Sequence, residues 1–532
     1  MKKFSTYILL ALFLIAVTGC EDWLDVNQNP NDLTESTKEL VLTGATNDYA
    51  ERQQLGSGFS LLGAWTGYFA HSGGWSGWNN VKSYRIIASD YNGFWTGVYD
   101  DVLKSLKYVE EQGLEDDNMA FVAVAKIMKS GIYQRLVDTY GDVPYTEAVM
   151  GFEGITQPVY DDALFIYEDL VSELDWAVNE LNDILNDPGR KGNETIASSA
   201  DVINSGNLDK WMKYGNTLKL RILLRQSEMT DRQTYIADNV ASTSALGYVS
   251  SETTGHITGN PGYLEETSGK MNPLYEAYGK NYQGNFTSGH QQYGLNVFLW
   301  NLYDTYNDSR REICWLPGVE TDNYDNPTKL GAASSEMPHW NESAILMSAG
   351  MYGTMAGDVI VMSTMEANFI LAEAIQRGYL ADYEGLTARD WFEEGVSESF
   401  HYYGDRAGIE GISDSLDLYM EQDYEIINWD NSTDKLKTIM YQKFIAGAGV
   451  YHYETWADYR RTGLIDPLYG DPDYSMISYY FDIVRPQVPV RLAYVQKELD
   501  INTANVQAAI DATGVPFGSE FIMDARIFWD VN

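Results

Sequence analysis

Cys20 ends the stretch Val17-Thr18-Gly19-Cys20, a small-residue cleavage site closing on a thiol. Lys2 and Lys3 give the chain a basic start, and Ile8 to Val17 is an almost wholly apolar run of about ten residues. That run is too short to cross a bilayer core of roughly 30 Å as a helix. It therefore reads as the apolar region of a secretory signal, with residues 1–19 removed and Cys20 carrying lipid in the manner of a bacterial lipoprotein. Each buried methylene of an attached acyl chain adds about 0.8 kcal/mol of membrane affinity, so the lipid alone makes the membrane contact. Cys314 is then left without a partner, and no intramolecular disulfide is expected although the compartment would permit one.

Residues suited to catalysis are sparse in pattern. The chain lacks G-x-S-x-G, a Walker phosphate loop, G-x-G-x-x-G, H-E-x-x-H and C-x-x-C. His71, His256, His290, His339, His401 and His452 have no metal-ligand spacing, and no metal or cofactor is expected. Asp25-x-Asn27-x-Asn29 begins like a calcium loop, but Pro30 stands where that loop needs Gly and Ser36 where it needs a bidentate Glu. Acidic pairs such as Asp116-Asp117 and Asp161-Asp162 read as solvated faces, and a surface hydrolase is the least favoured class.

Binding chemistry is better represented. In His71-Ser72-Gly73-Gly74-Trp75-Ser76-Gly77-Trp78-Asn79-Asn80, two tryptophans stand three apart among glycines and amides, a texture too flexible for an efficient core helix. Flat apolar rings beside Asn79 and Asn80 supply what a sugar ring needs, stacking on its C–H face plus polar contacts to its hydroxyls. The competing reading is that these rings only pack the loop onto its scaffold. Trp315, Tyr324 and Trp340 are further candidates in a second loop-rich region, whereas Trp95 and Tyr99 lie in a helix-like stretch and read as core.

The elements that must position these residues are mainly helices. In 161–181, Leu164, Tyr167, Val171, Leu174, Val178 and Leu181 recur at three- and four-residue steps, one apolar stripe opposite Glu168, Glu173 and Asp175. Comparable stripes run through 119–137, 208–224, 365–375 and 391–400, the last two forming a helix pair across Gly378-Tyr379. The expected fold class is mainly α, a tetratricopeptide-like scaffold of helical pairs carrying long loops and short strands. Residues 20–36 form a polar tether, 37–532 one folded unit, and about 240–360 its loop-rich part. The net charge is −41, or −43 once Lys2 and Lys3 leave with the signal. Such a surface repels nucleic acid and anionic headgroups and suits neutral or cationic ligands. The 39 Tyr and 14 Trp fit both a core and a sugar-binding surface.

An ordered series of segments carries a family resemblance. Asp138-Thr139-Tyr140-Gly141-Asp142-Val143-Pro144-Tyr145 is followed by Pro158-x-Tyr160-Asp161, by Lys210-Trp211 through Arg221 with Arg225, and by Asn307-Asp308-x-Arg310. Met362-x-Thr364-x-Glu366-x-Asn368-Phe369, Gln442-Lys443, Trp456 through Gly463, and Pro489-Val490-Arg491-Leu492 complete it. Following a lipoprotein signal, this series resembles the SusD/RagB-like outer-membrane nutrient-binding lipoproteins. The resemblance implies a helical body on the cell surface, partnered by a SusC-like TonB-dependent β-barrel transporter, with no chemistry of its own. The cargo stays open between a glycan, favoured by the tryptophan loop, and oligopeptides, favoured by the acidity. Lys219, Arg221, Arg460 and Arg461 are expected to pair with carboxylates and not with ligand.

Overall fold

The computed structural model describes residues 36–54, 57–516, 518 and 520–532. Cys20, the signal 1–19, the start of the tether and the Asp25–Asn29 motif lie outside the described residues.

Helices dominate, and their stripes explain their packing. Ala163–Asn186 starts where the Asp162 carboxylate accepts the Phe165 N–H, and it stops at Asp187 before Pro188. Its buried face is Ile166, Tyr167, Leu170, Val171, Leu174, Val178 and Leu181, so every expected position except Leu164 points inward. That face packs on Met119–Tyr140, which is buried almost all round, and on Leu208–Leu224. Lys38–Gln54 and Lys104–Glu115 add a further layer. Thr364–Gln376 and Ala388–Ala407 form the pair expected across Gly378. Among the described residues no helix is long and apolar enough to cross a membrane.

Short strands occur just before the first tryptophan loop and in the loop-rich part and its end. β1 (Phe69–His71), β3 (Tyr293–Leu295), β4 (Trp315–Leu316) and β5 (Leu346–Met347) make an antiparallel sheet in the order β1-β3-β5-β4, while β2 (Ile257–Gly259) pairs with β6 (Val359–Met362). In this sheet His71 lies opposite Tyr293.

The helical scaffold is tied by a buried charge network. Arg221 pairs with Glu366 at 2.9 Å, Arg461 with Asp458 at 2.8 Å and with Glu373, Lys443 with Asp458 at 2.8 Å, and Arg225 with Glu454. Burial would raise the Glu454 pKa, but Arg221, Arg225 and Arg135 outweigh it and hold the group at about 2. The expected pairing holds for Arg221 and Arg461, and for Lys219 with Asp175. Arg460 differs. It donates to the carbonyls of Asp138 and Val490 at 2.8 and 2.7 Å and stacks over Trp456, and burial lowers its pKa to about 10.

Candidate functional site

The first tryptophan loop leaves the sheet at β1 and is held by a second loop from far along the chain. Gly73 N–H donates to Pro338 O at 2.6 Å, Trp340 N–H to Gly73 O at 3.3 Å, and Ser334 Oγ to Trp75 O at 3.2 Å. The glycines permit this approach. Gly74 has φ +88°, and a Cβ there would stand 2.5 Å from His339 Nε2 and 3.1 Å from Trp340 Cδ1. Two of the loop candidates, Trp75 and Trp78, and one from the second region, Trp340, are thus carried on two joined loops, a two-loop face on which each is half-buried.

Beneath the face lies an aromatic support. The Trp78 ring meets His71 edge-on at 4.4 Å and tilts over Tyr293 at 4.9 Å, and Tyr293 in turn meets Tyr278 at 5.3 Å. These contacts hold one side of the Trp78 ring, and the side chain as a whole is half-buried. Trp78 also caps the short helix Asn79–Lys82 with φ 57°, and Tyr84 and Tyr91 have φ of 58° and 53°. A bulky residue in that region costs on the order of 1–3 kcal/mol and persists where surroundings enforce it, a state common at ligand sites. Asn79 and Asn80 are exposed. Asn80 Nδ2 donates to Asp90 Oδ2 at 2.7 Å, while Asn79 makes no side-chain hydrogen bond among the described residues. Trp75 Nε1 is buried without an acceptor. Burial pushes the Tyr91 hydroxyl up and pulls His71 down to about 4, aided there by the Lys82 charge, so both are neutral at physiological pH.

The other candidates fall outside this face. Trp315 is fully buried in β4, edge-on to Phe69 at 6.1 Å, because its strand turns that side of the sheet to the core. It is corrected from a ligand contact to a core residue. Tyr324 is half-buried, with its hydroxyl on Trp315 O at 3.1 Å and the Arg311 guanidinium over its ring, and no ring contact joins it to Trp75, Trp78 or Trp340. Trp95 is core as expected. Cys314 is a buried free thiol whose pKa burial raises.

A family model described as starch-binding, associating with the outer membrane, matches residues 30–494. The chain belongs to this SusD-like family. A SusD homolog from Bacteroides uniformis is 23% identical, with a TM-score of 0.69 over 92% of this chain and 99% of the other. A chitin-binding protein is 22% identical with a TM-score of 0.72, covering 93% of this chain and 100% of that one. A chitin-binding SusD homolog from Flavobacterium johnsoniae is 22% identical with a TM-score of 0.69, covering 92% and 99%. No curated protein sequence matches this chain. At these identities the likeness establishes the SusD-like helical fold, and the ligand must be argued from this chain's own residues.

Reading the SusD-like chain by residue type misses Tyr91, Tyr278 and Tyr293. Nothing distinguishes them among 39 tyrosines until β1 and β3 pair. His71 stood inside the tryptophan loop, yet its place under Trp78 follows only from the sheet register.

Proposed function

We propose that this SusD-like protein is a lipoprotein anchored through Cys20 at the outer face of the outer membrane, which captures an oligo- or polysaccharide on the Trp75, Trp78 and Trp340 face and delivers it to a SusC-like TonB-dependent transporter. The meeting of two distant tryptophan loops at Gly73 and Gly74 carries this reading. Half-buried rings, Trp78 held by His71 and Tyr293, can cover the C–H face of a sugar, and the Asn79 amide has its hydrogen bonds to spare. In this reading the protein acts by binding and not by catalysis, the face supplying rings for stacking and amides for hydrogen bonds. Glycan-array binding by the native chain, lost in Trp75→Ala and Trp340→Ala variants that melt normally, is the expected result. Array binding unaltered in both variants would refute the site.

Oligopeptide cargo is the second reading, favoured by a cleft of about 530 Å³ lined by Glu252, Glu384, Asp390, Glu393, Glu394 and Asp417. Retention of basic peptides, abolished when Glu252 and Asp417 become Gln and indifferent to Trp75→Ala, would select it.

A further inference from the structure

Buried cations in this fold have partners. Lys219 has Asp175, Lys443 has Asp458, Arg310 has Asp308, and Arg460 donates to carbonyls. Lys82 is different. It is 5% exposed, yet among the described residues no hydrogen bond, ion pair or ring contact reaches its ammonium. Burial lowers its pKa and no carboxylate opposes the shift. The ammonium itself keeps contact with water, its Nζ not being among the fully buried unpartnered side-chain atoms, and a cation solvated only by water, with no carboxylate beside it, is open to an incoming anion.

Its location is fixed by its neighbours. The Lys82 N–H donates to Trp78 O at 2.8 Å, one turn along the Asn79–Lys82 helix. The Trp78 ring lies 4.4 Å from the His71 ring, and His71 is close enough to Lys82 for the ammonium to lower its pKa. His71 is itself 3% exposed, and neither ring nitrogen makes a hydrogen bond of ordinary geometry, the Trp75 backbone being only a weak polar neighbour. An unpaired ammonium and an unsatisfied imidazole therefore share the ground beside Trp78.

We infer that Lys82, with His71 as a neutral hydrogen-bonding neighbour, forms an anion subsite of the tryptophan face, and that the cargo is an acidic glycan whose carboxylate or sulfate ester pairs with the Lys82 ammonium. The inference rests on the tryptophan face being the glycan site. On a chain of net charge −41 a single cation cannot provide general attraction for an anion. Salt screens charges beyond about 8 Å at physiological strength, so the distant acidic surface repels weakly and the ammonium in contact decides.

Oligogalacturonate and its methyl ester share a backbone and differ only in charge, and chondroitin sulfate against desulfated chondroitin does the same for the sulfate ester. Titration of the native chain should show one of the acidic probes binding at least tenfold more tightly than its uncharged or desulfated counterpart, the preference weakening in high salt. In Lys82→Met the acid-to-counterpart ratio should fall to near one, and Lys82→Arg should restore part of it. Which pair discriminates tells carboxylate from sulfate. Equal affinities within both pairs, failure to bind any acidic probe, or a preference that survives Lys82→Met would overturn the inference. Failure of the underlying face is read separately, as affinities for every probe that ignore Trp75→Ala and Trp340→Ala.

Discussion

Arg221, Arg225 and Arg461 in the helical scaffold and Lys82 under the tryptophan loop are all buried residues, but the guanidiniums are closed off and the ammonium still meets water, and their surroundings are opposite. Each of the three guanidiniums meets at least one carboxylate among Glu366, Glu373, Glu454 and Asp458, whereas Lys82 meets none. Closed networks of the first kind fix how helices pair and leave nothing for a ligand. An open valence of the second kind leaves a binding contact to water until a ligand takes it. Burial of charge alone therefore does not separate scaffold from site; whether the charge is satisfied does.

The largest expected effect comes from acid and falls on both sides, His71 at the loop and the other buried histidines elsewhere in the fold. His71, His256, His290 and His452 all have pKa values drawn down to about 4, chiefly by burial. The unfolded chain binds a proton at each near pH 6.5. Between those values the unfolded state holds more protons, so stability is fully present above about 6.5 and falls as pH drops toward 4, by about 3 kcal/mol for a fully buried histidine such as His452. Glu454, depressed to about 2, adds a loss of the same sign between about 4.5 and 2. Urea midpoints at pH 7, 5.5 and 4.5 should decrease steadily, and a flat profile would show that the buried histidines do not govern acid stability.

Removing one partner from the network should cost about 3–5 kcal/mol, because the arginines left behind stay buried. Glu454→Gln takes from Arg225 its nearest carboxylate and from Arg221 a second one, leaving Arg225 only the longer contacts to Asp138 and Asp458 at 3.3 and 3.4 Å, and is expected to shift the urea midpoint by that amount. A loss below about 1 kcal/mol would mean that the network relaxes and is not what ties the helices.

The tryptophans divide along the same line. Trp315→Ala should cost about 3–5 kcal/mol of folding stability, since its ring is wholly in the core. Trp75→Ala should leave the melting temperature nearly unchanged and cost about 2 kcal/mol of glycan binding, roughly thirtyfold. Calorimetry of both variants sharpens the contrast, and the reverse pattern would exchange their roles.

How far this division was legible before folding follows from the range of each signal. Helix periodicity is local, so the stripes of 119–140, 163–186, 208–224 and 364–376 stood in the sequence. Two tryptophans among glycines are local as well, and Trp75 and Trp78 are both half-buried on their loop. Trp340 reaches them through Gly73, more than 260 residues earlier, and no spacing rule reports such a meeting. Trp315 was misplaced because Gly, Asn and Tyr texture around it reads as loop, while two-residue pairing with Met347 turns it inward. Lys82 was invisible for a deeper reason. In a sequence a lysine is recognised by its charge, and its lack of a partner exists only once every neighbour is in place.

The smallest expected effect is also the one with the unusual sign. Most substitutions of a buried residue destabilise, but Lys82→Met keeps the aliphatic stem and deletes a charge that nothing in the empty protein satisfies. Methionine fills nearly the same volume without an ammonium, so the partial desolvation that lowers the lysine's pKa is relieved. A gain of about 1 kcal/mol is expected at pH 7, read as a higher urea midpoint with an unchanged denaturant slope. The gain should shrink as pH rises, because the native ammonium, its pKa already lowered, gives up its proton and its cost together. Arg225→Met, by contrast, should destabilise, since it leaves Glu454 and Asp138 short of a cation. If Lys82→Met destabilises by a similar amount, the ammonium is satisfied in solution and the opposition between the two regions fails.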